Sequence, residues 1–442
     1  MNPLVAIVGR TNVGKSTLFN RLAGESLAVV EDLPGTTRDR VFADVSRDGT
    51  EITLVDTGGL DLKPSSSLAQ KVKEQAQAAM EDADVIVFMV DVRDGVIAAD
   101  CEIADLLRLC RKPIVLVANK TDNNKLENQL GDFYRLGLGE PLTISAQHNR
   151  GIQELWNAIV SLLPPVFEGS ADTDRPKLAI VGRPNAGKSM LLNATVGRER
   201  AIVDEVPGTT RDAVDTVFSF KGQELLLIDT AGIRRRGRVC IGVEYYSLIR
   251  ALRAINRCDV ALLVTDATEF ITAQDVHIAG YIKQSGKGMV LIVNKWDLVS
   301  DQPRDVYLQE VQKRLKFMSH APVLFVSAKY KRGIEDILPR ALEVWYEGQK
   351  KLSDPVVDSF IKQAVTAHTR PRKGLKQLEV YRAYQAGTRP PSFTLVVNDP
   401  YLVHFSYERY LENKLRQTFG FSGTSVRFTF RKSPSRKLQK VG

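Results

Sequence analysis

Apolar residues in this chain gather in short runs that polar residues rarely interrupt. Such runs occupy 4–8, 51–55, 85–90, 114–118 and 142–144, and then 177–181, 224–228, 260–264, 289–293 and 323–326. Their length predicts strands, and the scarcity of polar alternation predicts strands covered on both faces. Stretches of helical character separate them, the pattern of a mostly parallel α/β sheet with flanking helices. An amphipathic stretch at 333–346 closes the second series. The pattern then changes to predicted strands at 378–385, 393–397 and 426–431 with a helix at 404–418, an α+β arrangement.

The two series are copies of one another. Gly9-Arg10-Thr11-Asn12-Val13-Gly14-Lys15-Ser16 returns as Gly182-Arg183-Pro184-Asn185-Ala186-Gly187-Lys188-Ser189, an offset of 173 residues (188 minus 15). Pro34-Gly35-Thr36-Thr37-Arg38-Asp39 and Asp56-Thr57-Gly58-Gly59 return at the same offset, as Pro207-Gly208-Thr209-Thr210-Arg211-Asp212 and Asp229-Thr230-Ala231-Gly232. A period of this size means duplication of a whole domain rather than a solenoid. The organisation expected is a first domain at 1–163, an acidic Pro-rich linker at 164–176, a second domain at 177–346, a third at 353–432 and a basic tail at 433–442.

Composition changes this picture in one place. The chain has 442 residues, enough for about three domains, and its 43% hydrophobic and 26% charged residues are ordinary for a globular protein. No apolar run approaches a membrane span, and the N-terminus enters a strand at once, without the basic region of a leader. Cys101, Cys110, Cys240 and Cys258 lack metal-ligand spacing and fit reduced thiols in a cytoplasmic protein. The charge, however, is uneven. Residues 353–442 hold 16 Lys+Arg against 6 Asp+Glu, a net of +10, whereas the whole chain nets +9. The basic excess therefore lies in the last fifth, which points to a polyanionic partner.

Gly-x-x-x-x-Gly-Lys-Ser between a strand and a helix is a phosphate-binding loop. Its glycines let backbone N–H groups turn in around phosphate oxygens, and the helix that follows presents its positive end. Lys15 and Lys188 are placed to reach the β- and γ-phosphates, and the Ser16 and Ser189 hydroxyls to bind Mg²⁺. Met190 stands where Thr17 stands in the first copy. Asp56 and Asp229 end strands, where they can hold Mg²⁺ through water, and Gly59 and Gly232 can give an N–H to the γ-phosphate. One Thr of each pair, Thr36/Thr37 and Thr209/Thr210, is expected to reach the metal, with the second of each pair preferred.

Asn119-Lys120-Thr121-Asp122 and Asn294-Lys295-Trp296-Asp297 each follow a strand. The aspartates, Asp122 and Asp297, can accept from both N1–H and the 2-amino group of guanine. Adenine has no such donor pair, and leaving a buried carboxylate unpaired discriminates strongly. Asn119 and Asn294 either bind the N7 side of the base or tie down the loop. The Lys120 and Lys295 stems are expected to lie over the base. Ser145-Ala146 and Ser327-Ala328 complete the pocket, with the Ala146 and Ala328 N–H groups facing the guanine O6. The nucleotide predicted is GTP, in both copies.

With these motifs in order, the chain resembles the Der (EngA) family of bacterial tandem GTPases of ribosome assembly. The resemblance extends to the C-terminal run from Gln385-Ala386-Gly387-Thr388-Arg389-Pro390-Pro391 through Val397-Asn398-Asp399-Pro400 to Tyr407-Glu408-Arg409-Tyr410-Leu411-Glu412-Asn413. It implies an α/β protein with two P-loop GTPase domains and a C-terminal α+β KH-like domain. It also implies a monomer that docks on ribosomal RNA and the maturing large ribosomal subunit. No Gly-x-x-Gly clamp sits between helices, so contact through charge and shape with structured RNA is the expectation. Tyr381, Tyr384, Phe393, Phe428 and Phe430 either stack on bases or, for the greater part, form core. The stretch 431–440 has the composition of a segment unstructured on its own.

Hydrolysis poses a problem, because Leu60 and Ile233 stand where many GTPases place a water-orienting Gln. The resemblance implies a solution: relatives with a hydrophobic residue there use K⁺, held in part by a P-loop Asn that matches Asn12 and Asn185. The alternatives are a nucleotide-sensing RNA-binding adaptor with negligible hydrolysis, and a GTPase serving tRNA modification. The latter predicts an added cofactor-binding or helical domain and a C-terminal Cys, neither of which is in the sequence. The basic run Arg234-Arg235-Arg236-Gly237-Arg238 has no counterpart in the first copy, so the two switch regions are expected to serve different outputs. Phe270 replaces Gly95 of the first copy, with no function assigned from sequence.

Overall fold

The computed structural model describes residues 3–24, 42–56, 83–122, 130–164, 175–196, 204–207, 214–229, 243–299, 303–368, 371–373 and 376–433. They fall into two compact units, one of 1–173 with 235–256 and one of 174–234 with 257–442.

In the first unit, β1 (Leu4–Val8), β2 (Phe42–Arg47), β3 (Thr50–Asp56), β4 (Val85–Asp91), β5 (Ile114–Asn119) and β6 (Leu142–Thr143) form one sheet, ordered β2-β3-β1-β4-β5-β6. Only β2 and β3 pair antiparallel; the other pairs are parallel. The apolar runs are continuous because successive side chains serve opposite faces. Val5, Ile7, Val85 and Val87 pack with Leu18 and Phe19 of α1 (Lys15–Ala23) and Leu155 and Trp156 of α3 (Ile152–Leu162). Ala6, Val8, Ile86 and Phe88 pack with Ile103 and Leu107 of α2 (Ala98–Arg108). Strand β2 lies outside the predicted elements. It reads Phe-Ala-Asp-Val-Ser-Arg, with Ala43 and Val45 buried, so its signal is the alternation of an edge strand rather than an apolar run.

The second unit repeats the plan. Strands β7 (Lys177–Val181), β8 (Asp204–Pro207), β9 (Val214–Phe220), β10 (Gln223–Ile228), β11 (Val260–Asp266), β12 (Gly288–Asn294) and β13 (Val323–Phe325) are ordered β13-β12-β11-β7-β10-β9-β8. Its helices include α4 (Lys188–Val196), α6 (Ala273–Gln284), α7 (Arg304–Arg314) and α8 (Ile337–Gln349), whereas α5 (Val243–Arg257), which precedes β11 in the chain, is grouped up to residue 256 with the first unit. Strands β8 and β9 were not predicted, because polar residues interrupt both and neither forms an unbroken apolar run. In both sheets the first strand has its neighbours leaving in opposite directions, and a ligand crevice opens at its carboxyl end. Phe270, unexplained by sequence, stacks on Tyr307 of α7 with centroids 5.0 Å apart. Tyr307 in turn meets Trp296 and Phe325 edge-on. Phe270 thus fastens α7 to the loop after β11.

The C-terminal part of this unit holds α9 (Asp354–Ala367), the short pair β14 (Arg372–Lys373) and β15 (Lys376–Gln377), and a sheet of β16 (Val380–Gly387), β17 (Ser392–Val397) and β18 (Arg427–Lys432) with α10 (Phe405–Phe419). Helix α9 was not predicted, though Val357, Ile361, Ala364 and Val365 bury one face of it. Phe393 is core, with Phe428 and Phe430 packed against it, while Tyr381 is exposed. Strand pairing with β17 orders Arg431 and Lys432, the first two residues of the stretch expected to be unstructured.

This layer is joined to the second sheet by backbone. The Met289 N–H donates to the Gly423 carbonyl at 2.7 Å, and the Gly423 N–H to the His320 carbonyl at 2.9 Å. At Gly423 φ is +67° and a Cβ would lie 2.4 Å from Val344, so only glycine fits the seam. The one Gly-x-x-Gly of this region, Gly420-Phe421-Ser422-Gly423, is therefore packing: Phe421 is fully buried. Of the cysteines, Cys258 is buried and its thiol pushed up to about 12 by desolvation; Cys101 is exposed and Cys110 half-buried, neither in a disulfide, and Cys240 lies outside the described residues.

Burial, with Arg416 and Lys283 nearby, holds the His320 imidazole well below its ordinary pKa of 6.5. The folded protein therefore keeps it neutral where the unfolded chain takes up a proton, and stability falls as pH drops through 6.5. Thermal midpoints at pH 7.5 and 5.5 should show this loss, and His320→Leu should lessen it by up to ~1.4 kcal/mol per pH unit. An unchanged pH dependence in the variant would contradict it.

Candidate functional site

The first phosphate loop leaves β1 at Gly9 and enters α1 at Lys15. Gly9 has φ +155° and a Cβ there would meet the Met89 carbonyl at 2.5 Å; Gly14 has φ +99° and a Cβ would meet Asn119 Nδ2 at 2.4 Å. Both positions need glycine because the chain passes hard against β4 and β5. Asn12 also takes a left-handed backbone, φ +66°, as does Asn185, φ +63°. Lys15 is buried and folds back over the loop, its Nζ donating to the Gly9 carbonyl at 2.7 Å and the Arg10 carbonyl at 2.6 Å. Desolvation lowers its pKa, opposed by Asp56 and assisted by Arg10. Such a partly desolvated ammonium held only by carbonyls is ready for an anion. Ser16 Oγ donates to Asp56 Oδ2 at 2.6 Å, so the two expected metal-holding groups stand together at the end of β3. Hydroxyl and carboxylate oxygens suit Mg²⁺, with the remaining positions left for water and phosphate.

The second copy reproduces this arrangement. Lys188 Nζ donates to the Gly182 carbonyl and, at 2.6 Å, to the Arg183 carbonyl. Gly187 has φ +94°, and a Cβ there would lie 2.2 Å from Asn294 Nδ2. Asp229 follows β10 with φ +54°. Met190, which stands where Thr17 stands in the first copy, is exposed. Thr11, Pro184 and the backbone at Val13 and Ala186 lie within the loops.

The asparagines tie down loops. Asn119 Nδ2 donates to the Val13 carbonyl at 2.7 Å while its Oδ1 accepts the Ala146 N–H at 3.0 Å. Asn294 does the same with Ala186 and Ala328, at 2.9 and 3.0 Å. The Ala146 and Ala328 N–H groups, expected to face the base, are thus engaged by asparagine. Lys120 and Lys295, both with left-handed backbone, pair with Asp91 and Asp266 at 2.5 Å. Ser145 Oγ donates to Asp122 Oδ1 at 2.7 Å, and this bond, with Arg93 and His148, holds the Asp122 carboxyl below its ordinary pKa. Ser327 has a comparable place, its Oγ accepting the Tyr330 N–H at 3.3 Å.

Arg10 and Arg183, grouped with the phosphate residues by sequence, turn to acids instead. Arg10 reaches Asp94 at 2.6 Å and Asp100 at 3.5 Å; Arg183 reaches Glu269, and Asp275 at 3.7 Å. Sequence reading missed these acids, the Asp91 and Asp266 partners, and Arg21, which donates to the Ala146 and Gln147 carbonyls. A partner acid recurring one repeat later, as Asp266 does for Asp91, was the available signal. Thr36, Thr37, Thr57, Gly58, Gly59 and Leu60, and Thr209, Thr210, Thr230, Ala231, Gly232, Ile233 and the run Arg234–Arg238, lie outside the described residues.

Two phosphate loops, each with its lysine, metal-side hydroxyl and base loop, define an enzyme with tandem P-loop GTPase domains that binds GTP and GDP and hydrolyses GTP. Residues 4–120 and 177–295 match a family model described as 50S ribosome-binding GTPase, and 351–431 one described as the C-terminal KH-domain-like region of EngA bacterial GTPase enzymes. GTPase Der of Geotalea daltonii is 44% identical over 439 residues, spanning 99% of this chain and 100% of that protein. GTPase Der of Geobacillus kaustophilus is 46% identical over 432 residues, spanning 97% and 99%. The chain belongs to the GTPase Der family.

Replacing Gly14 by Ala forces a left-handed alanine and displaces the Asn119 tether, at a cost of about 2–5 kcal/mol. Titration with fluorescent GDP should fall from two sites per chain to one. Two sites of unchanged affinity would show that the close approach at Gly14 is unimportant.

Proposed function

We propose that the protein is a K⁺-stimulated, two-site GTPase switch that docks on ribosomal RNA of large-subunit precursors through its KH-like domain. The observation that carries this reading is the union of two duplicated GTP sites with a C-terminal fifth of net charge +10. In each site the lysine, Lys15 or Lys188, exchanges its carbonyl partners for the β- and γ-phosphates. Ser16 with Asp56, and Ser189 with Asp229, would hold Mg²⁺, which would neutralise charge on the phosphates. A threonine from each Thr-Thr pair would reach the Mg²⁺, and the Gly59 and Gly232 N–H groups would contact the γ-phosphate. Asp122 and Asp297 read guanine.

Leu60 and Ile233 cannot orient water, so the proposal assigns part of the rate to a monovalent cation held by Asn12 and Asn185. A cation there would offset charge growing between the β- and γ-phosphates. The left-handed backbone shared by these asparagines supports a common role. GTP turnover should be at least about tenfold faster in K⁺ than in Na⁺, with Asn12→Ala and Asn185→Ala each removing part of the difference. Equal rates in the two salts would overturn the cation role.

For RNA, the outer face of the C-terminal sheet is the surface favoured. Arg382, Val396 and Arg431 stand in one cross-strand row, with Tyr384, Thr394 and Thr429 in the next. Arg382 and Arg431 are exposed, and the Arg382 guanidinium lies 5.2 Å from the Tyr384 ring centroid. Cations beside an aromatic face suit phosphate contact with stacking. Co-sedimentation with ribosomal particles should weaken roughly tenfold or more between 50 and 200 mM salt, with a shallower slope for the Arg382→Ser/Arg431→Ser chain. It should also differ between GDP and a non-hydrolysable GTP analogue. A flat salt response would remove the basic domain from the account, and indifference to nucleotide would remove the switch.

A further inference from the structure

The two base pockets are not electrostatic copies. In the first, Arg93 donates to Asp122 Oδ2, Ser145 takes Oδ1 at 2.7 Å, His148 lies 3.8 Å away, and Arg150 Nη1 donates to the Asp122 carbonyl at 2.7 Å. In the second, one repeat later, Thr268 replaces Arg93 and Tyr330 replaces His148. Thr268 turns inward, its N–H and hydroxyl both donating to Asp266 Oδ1, at 3.0 and 2.7 Å. Among the described residues no ion pair reaches Asp297. The lysine and asparagine contacts are matched between the copies, whereas what faces the base-reading carboxylate differs.

A guanine base needs both oxygens of that carboxylate, one for N1–H and one for the 2-amino group. In the first domain the Arg93 guanidinium already sits on one of them. The pair is neither buried nor remote: the Arg93 side chain is 58% exposed and that of Asp122 22%. The arginine can therefore swing away, but guanine has to displace it. We infer that Arg93 is a built-in competitor for the guanine-reading carboxylate, which makes the first domain bind guanine nucleotides less tightly, and release them faster, than it would with the threonine of the second. The inference rests on the assignment of guanine recognition to Asp122. It makes Arg93 a residue that sets affinity and exchange, and it gives one duplicated fold two nucleotide lifetimes without altering its phosphate chemistry.

The test uses the full chain carrying Lys188→Ala, so that binding reports the first domain, with GDP and xanthosine diphosphate as probes. Arg93→Thr should tighten GDP about two- to fivefold, the range for a solvent-exposed ion pair, mainly through slower release. The gain should shrink at high salt, which screens the pair. In the complementary Lys15→Ala chain, Thr268→Arg should loosen GDP by a similar factor. GDP binding that is unchanged or weaker in Arg93→Thr overturns the inference. Asp122→Asn separates the two readings, because an amide can donate to the 2-carbonyl of xanthine where the carboxylate accepted from the 2-amino group of guanine. A switch in preference to xanthosine diphosphate without tightening by Arg93→Thr sinks only the competitor. A retained GDP preference in Asp122→Asn sinks the base assignment as well.

Discussion

Each nucleotide site depends on one buried asparagine. Asn119 and Asn294 are the last residues of their strands, and each uses both ends of its amide, donating to the phosphate loop and accepting from the base loop. Both asparagines are almost wholly buried. A buried amide with both ends satisfied rigidifies what it joins, and one left half-satisfied would be costly. The consequence reaches backward along the chain. Gly14 and Gly187 must be glycine because the amide passes where a Cβ would stand. The lysine and serine of each phosphate loop and the aspartate of the base loop, Asp122 or Asp297, are then held on one frame, although they come from segments more than a hundred residues apart.

Around that frame the copies keep common anchors and vary their surroundings. Arg10 and Arg183 brace each phosphate loop on acids of the loop after β4 or β11 and of the first turn of α2 or α6, and desolvation raises the pKa of the innermost of these, Asp100 and Asp275. The differences lie at the rims: Arg21 has no equivalent in the second copy, where Ala194 stands, and Phe270 adds an aromatic brace that the first copy lacks. The C-terminal layer is bound to the second sheet by backbone hydrogen bonds and glycine packing at Gly423, with charged groups such as Lys283, Glu408 and Arg416 drawn into burial. Desolvated charge at such a seam tolerates little sliding.

Much of this was legible from sequence. The parallel strands could be read because strands buried on both faces leave unbroken apolar runs, and their limits shifted by only a residue or two. The phosphate and base motifs could be read because their spacing is set by local backbone geometry, and because each occurs twice. The edge strands β2 and β8 and the inner strand β9 could not, since none of them is an unbroken apolar run. Helix α9 was passed over although Val357, Ile361, Ala364 and Val365 mark its buried side, and the aromatic residues divided between core and surface as expected only in part.

The sequence by itself determined the chemistry: which residue types are present, at what local spacing, and that the whole set is duplicated. These follow from short-range geometry, where a glycine, a lysine and a serine in one loop can meet no other way. The tertiary structure alone decided which partners those residues keep. That Arg10 faces acids rather than phosphate, that asparagine claims the Ala146 N–H, and that Arg93 covers Asp122 while Thr268 turns away from Asp297 are contacts between separate strands and loops. Their pairing energies are small and depend on distance, so no local pattern records them until the sheet brings the strand ends together.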